Sequence, residues 1–191
     1  MTVVLLVNPL PPSAVAELIG LGTKQVEKIL TLVQSLLILS DDPNCPVTPF
    51  HKSFPDFIMD PSCCLNKRFC IFPEAIHHKL AMNCLRLMNG TLEPNLLSLP
   101  DYALNQEVKD LPDRVKVHIS AALGYACKSW CHHLTKSRED IGDILDTLHV
   151  FLKSKFLPWL EVVSVLGATR EAVAGWTSLV LWLQEVCLGL I

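Results

Sequence analysis

The chain has 191 residues, a formal net charge of −3, 50% apolar residues and only 18% charged ones, where a soluble domain usually carries about 25% charge. That balance excludes a disordered chain and disfavours nucleic acid as a partner, since phosphate contacts need a basic surface. The length suffices to bury a core without a disulfide or metal staple, and the apolar excess suits a piece that packs against another domain.

Met1–Val7 is apolar but carries no Lys or Arg and is too short for a secretory leader, so a cytoplasmic chain is expected, with its cysteines reduced and mostly buried. Ser13, after two prolines, is placed to cap a helix over Ala14–Ile19, which Gly20 ends. Thr23 is placed to cap a second helix from Lys24 to about Leu36, with Val26, Leu30, Val33 and Leu37 on one face. Two short helices around Gly-Leu-Gly form a helix-turn-helix pattern. Leu36–Leu39, the turn-rich stretch Ser40–Pro46 and Val47–Phe50 then predict a hairpin, whose second strand Pro49 confines to an edge. A helix-turn-helix followed by such a hairpin is a winged helix.

Residues 51–72, broken by Pro55 and Pro61, predict one brief helix plus loop. From Pro73 the helical period returns in Ile76, Leu80, Cys84, Leu87 and Met88. A polar loop over 94–111 is the best internal boundary. Ile119, Ala122, Leu123, Ala126, Cys127, Trp130 and Leu134 then mark a strong helix. Ser137-Arg138-Glu139-Asp140 has the capping-box pattern and opens another, carrying Ile141, Ile144, Leu145, Leu148 and Leu152. Phe156–Leu166 is apolar nearly all round and is expected to be central; Gly167 ends it, and a last helix starts near Thr169. The closing run Leu179–Leu183 is broken by Gln184 and Glu185, short of a membrane span. The expected architecture is therefore mainly α: a winged-helix domain at 3–60 and a helical domain at 61–191, with the loop boundary near 94–112.

No catalytic motif stands out. Gly20-Leu21-Gly22-Thr23-Lys24 resembles a phosphate loop only in flavour, because Lys follows Thr instead of preceding it. Cys127, Cys131, His132 and His133, with Cys63, Cys64 and Cys70, offer metal ligands on paper, but lack paired Cys-x-x-Cys knuckles and read as core or surface. His77-His78 reads as two exposed helix positions. As a DNA reader, the second helix offers Lys24, Lys28, Gln25 and Gln34 with Glu27 among them, in a net-negative segment. Phe50, Phe54 and Phe57 form one apolar face of a short helical turn, with His51 emerging at the end of the wing strand.

His51-Lys52-Ser53-Phe54-Pro55-Asp56-Phe57 resembles the His-x-Ser-Phe-x-Asp-Phe motif in the winged-helix domain of NACHT-type signal-transduction NTPases. Leu37–Leu39, Asp60–Cys63, Cys84–Asn89, Tyr125–Trp130 and Phe156–Glu161 are similar to stretches of the large fungal NACHT family, from about Val3 to about Ala174. The match weakens over 175–191. The resemblance implies a cytoplasmic regulatory segment that is not itself an enzyme, with a nucleotide-binding NACHT domain upstream as its partner in cis. It implies that His51 contacts the phosphate of ADP bound there, that exchange for ATP releases the segment, and that the parent can oligomerise. It implies no catalytic residue, no metal, no nucleic acid and no membrane. The rival readings are a freestanding helical interaction scaffold and, less favoured, a DNA-binding winged-helix regulator.

Overall fold

A 3-10 turn over Thr2–Leu5 leads into α1 (Pro12–Ile19) and α2 (Thr23–Leu32) in a computed structural model that describes residues 2–66, 68–100, 104–137 and 142–187. Pro11, not Ser13, holds the N-cap of α1, because consecutive prolines pre-set the extended cap and the first helical residue. Gly20 closes the helix at φ 70°, and the Leu21 N–H reaches back to the Ala16 carbonyl at 2.9 Å. Gly22 rather than Thr23 caps α2. That helix stops at Leu32, short of the expected Leu36, and a 3-10 turn at Gln34–Leu36 swings the chain into β1 (Leu37–Ile38). β1 pairs antiparallel with β2 (Thr48–Pro49) in the register Leu37↔Pro49, Ile38↔Thr48. The Val47 N–H donates to the Leu10 carbonyl at 2.9 Å, tying this small sheet to the entry of α1.

After α3 (Ser53–Met59), the remaining helices are α4 (Pro73–Thr91), α5 (Leu111–His118), α6 (Ala121–Lys136), α7 (Gly142–Ser154), α8 (Phe156–Val165) and α9 (Thr169–Cys187). The described chain is mainly helical, with one two-stranded sheet. α5 is a helix that the loop expected over 94–111 did not foresee. Its end and the start of α6 split what periodicity reads as one stripe, because Ser120 turns extended and its Oγ accepts the Leu123 N–H at 3.0 Å. Arg138–Ile141, on which the capping-box reading falls, lie outside the described residues.

α4 and α6 form the centre. Leu80, Cys84, Leu85 and Met88 face Ala122, Leu123, Ala126 and Leu134, all at 1% exposure or less. α1 packs on both helices, α7 on α4, and α9 on α6. Trp130 carries the second half of the core, with ring centroids 5.1 Å from Phe151 and 6.0 Å from Trp159, whose indole N–H donates to the Cys127 carbonyl at 2.9 Å. α8 is not central, as its all-round apolarity suggested. Only Pro158, Trp159, Val162 and Val163 are buried, while Leu157 and Leu160 are exposed.

The loop after α4 is pinned by cations from neighbouring helices. Arg114 Nη1 donates to the carbonyls of Leu97 and Ser98 at 3.1 and 2.6 Å, and Lys155 Nζ to that of Leu92 at 2.7 Å. Among the described residues, no helix is long and apolar enough to cross a membrane. Truncating Leu85→Ala, at the fully buried α4–α6 contact, should cost about 2–5 kcal/mol. Gly20→Ala, in open space but at positive φ, should cost about 1–2 kcal/mol; urea unfolding midpoints measure both.

Candidate functional site

His51 lies where the chain turns from β2 into α3, on an exposed surface. The Ser53 N–H donates to its Nδ1 at 3.1 Å, and the Ser53 hydroxyl lies 2.8 Å from the same nitrogen. With Nδ1 fixed as acceptor, the neutral ring carries its proton on Nε2, a donor that an anion can take. Phe50, directly before it, is 72% exposed, and its backbone N–H is held by the Leu36 carbonyl at 2.9 Å.

Of the aromatic face read from the sequence, Phe54 packs against the core and, with Phe57, Leu36, Leu65, Phe69 and Phe72, lines an open groove of about 580 Å³ between α3 and the start of α4. Leu65 at 85% and Phe69 at 68% exposure leave that groove largely bare. Cys64 and Cys70 also line it; burial, then the neighbouring Cys70, push the Cys64 thiol up from its ordinary value. Asp60, at the end of α3, is held at about 2 by hydrogen bonds from Ser62 and Cys63.

Other sequence candidates separate in space and chemistry. Gly20–Lys24 forms the corner between α1 and α2, with Gly20 ending one helix and Gly22 capping the next. α2 exposes Ile29 and Leu32 beside Lys24, Glu27 and Lys28, an apolar and mixed-charge face. Cys127 is a buried core thiol whose proton burial holds on up to about 12, and burial likewise raises Cys84 and Cys131. Such thiols pack as small hydrophobes.

The exposed reading of His77-His78 is corrected. His77, on α4, is only 9% exposed, because it shares a helix face with Leu80, Ala81 and Cys84 and packs toward α6. There its Nδ1 lies 2.8 Å from Nδ1 of His133, which is fully buried. His78 is half-buried, 3.2 Å from the Ser137 hydroxyl and 3.4 Å from Asp143.

A chain of hydrogen bonds runs from Val7 through Tyr125 to the two imidazoles. The Val7 N–H donates to the Tyr125 hydroxyl at 3.1 Å, and the Tyr125 oxygen lies 2.6 Å from His133 Nε2. If the phenol donates, His133 carries its proton on Nδ1 and gives it to His77 Nδ1. His132, exposed on the next residue of α6, brings its ring centroid within 5.7 Å of His77 and 5.5 Å of His133. Burial first, then His77 and His132, depress His133 to about 3. His77 is lowered by burial, His132 and Lys136, against Glu74, and His132 by burial and Lys136. The cluster is therefore uncharged at neutral pH. One nitrogen from each of the three rings falls within 4.8 Å of the others.

Periodicity held a usable signal for this cluster. His77 is three residues before Leu80, and His133 three after Trp130, so both fall on apolar stripes. Residue type argued for solvent, and only the pairing of two stripes reveals that each imidazole supplies the other's partner. Compared with protein-family models, curated proteins and solved structures, the chain matches none.

The sign of the acid dependence follows from the depressed His133. Above its unfolded value of 6.5 the ring is neutral in both states, and its contribution to stability is complete. As pH falls from 6.5 toward about 3, the unfolded chain binds a proton that the folded chain refuses. Stability should then drop by up to about 1.4 kcal/mol per pH unit. Urea midpoints between about pH 7 and pH 5 should fall in the native chain and fall less in His133→Gln.

Proposed function

We propose that the chain is the regulatory segment of a NACHT-type signalling NTPase, its winged-helix unit at 3–60 and helices at 61–191 acting as a nucleotide-dependent intramolecular switch. The observation that carries this reading is the bare apolar groove of Phe57, Leu65, Phe69 and Phe72, close in sequence to an exposed His51 whose free Nε2–H is a phosphate donor. An exposed apolar surface of this kind marks a docking face. The order helix–turn–helix, hairpin, short helix supports the winged-helix assignment.

In this reading the upstream domain supplies the Walker lysine and acidic residues, and holds ADP or ATP. The groove seats on that domain, and His51 adds one hydrogen bond to the phosphate of ADP. A neutral imidazole suffices, and a protonated one would bond more strongly. Loss of this bond on nucleotide exchange frees the winged helix to swing out, a population shift limited in size by the lost interaction. Assembly of the parent into oligomers follows from that opening, and the segment itself performs no chemistry.

In the full-length parent, His51→Ala should weaken ADP binding by about 10–100-fold, the value of one hydrogen bond to a charged group, and raise spontaneous assembly. Phe57→Ser should raise assembly with a smaller change in ADP affinity, since it loosens the docked face without touching phosphate. Isothermal titration of ADP and size-exclusion chromatography measure both; unchanged ADP affinity and assembly in His51→Ala would remove that residue from the switch.

A further inference from the structure

We propose that His77, His132 and His133 form a binding site for one zinc ion that joins α4 to α6. The three donor nitrogens lie within 4.8 Å of one another, two from adjacent positions of α6 and one from the facing helix. Zinc–imidazole bonds of about 2.0–2.1 Å in tetrahedral array set ligand nitrogens about 3.3 Å apart. The two Nδ1 atoms are at 2.8 Å, so the rings need to part by only about half an ångström. His132 is exposed and free to turn its ring inward.

The proton positions allow the exchange without breaking the surrounding network. Metal at Nδ1 of His133 requires its proton on Nε2, which then donates to the Tyr125 oxygen that now lies 2.6 Å away. That oxygen still accepts the Val7 N–H, and Ser129 is a further polar neighbour of the phenol. Each ligating ring thus keeps its proton on the nitrogen away from the metal, and Tyr125 orients His133 from behind, as supporting groups in zinc sites do. No net proton leaves the protein.

Three neutral imidazoles select zinc or a similarly borderline divalent ion over magnesium or calcium, which take oxygen ligands. His132 lines an open surface groove, from which water can supply a fourth ligand. Lys136 from α6 and Glu74 from α4, of opposite sign, act on His77, and Lys128, Glu171 and Glu185 line the groove beside His132. Lys136 is exposed and can swing clear. This inference is independent of the switch function proposed above.

The test uses the full chain after removal of metal with a chelator, titrated with Zn²⁺ against a chromophoric competitor. One equivalent should bind, and the melting temperature should rise. His132→Ala, at an exposed position where folding is retained, should weaken binding by at least the ~10–100-fold that even a supporting group costs, and His118→Ala should leave it unchanged. With Co²⁺ the visible bands of low-symmetry coordination should appear without a thiolate-to-metal charge-transfer band. Absence of binding, undiminished binding in His132→Ala, or a thiolate band that assigns the metal to Cys63, Cys64 or Cys70 would each overturn the proposal.

Discussion

The packing of α4 against α6 is the constraint from which the rest of the arrangement follows. Small residues make it possible: Ala81, Ala122 and Ala126 are fully buried at the contact and let two long helices approach closely. Larger side chains, Leu85, Met88, Leu123 and Leu134, then fill the space on either side. Once that pair exists, α1 packs on it and on α2, burying Ala14, Val15 and Leu18, and α9 packs on α6 and α8, burying Leu179 and Trp182. One contiguous core results, running from Leu10 in the N-terminal unit to Trp182 in the last helix.

The same close approach forces the polar chemistry between the two helices. An imidazole brought into an apolar contact loses its water and must find a partner or destabilise the fold. His77 and His133 meet that demand with each other, and Tyr125 and the Val7 N–H extend the chain of donors. The solution is confined to neutral rings, because a second proton would leave two donors facing each other. Elsewhere the core is less well satisfied: the Trp130 indole nitrogen is buried without a hydrogen-bond partner among the described residues, beside Phe151, Trp159 and Trp176. Orphaning a donor of this kind costs about 1–3 kcal/mol, which the burial of Trp130, Phe151 and Trp159 offsets.

Apolar surface is bare in both halves of the chain. Leu32, Phe50, Leu65 and Phe69 are more than half exposed, and two-residue strands and a seven-residue α3 cannot enclose those side chains. In the later helices Val117, Leu157, Val173 and Leu181 are also more than half exposed.

Local signals in the sequence determined the elements that depend on a few neighbouring residues. Gly20 at positive φ, Pro73 at the first turn of α4 and Gly167 after α8 mark ends that backbone sterics alone enforce. The apolar periods of α4 and α6 name their buried faces because a helix repeats its geometry regardless of what it packs on. The same reasoning overlooked α5, placed α8 at the centre and left His77 in solvent. Those depend on the tertiary structure: Ser120 turns extended and caps α6, which breaks a continuous stripe, and α8 buries one side only. A histidine on an apolar stripe is ambiguous until a second stripe supplies its hydrogen-bond partner, and residues 56 positions apart in the chain, such as His77 and His133, meet only when two helices do.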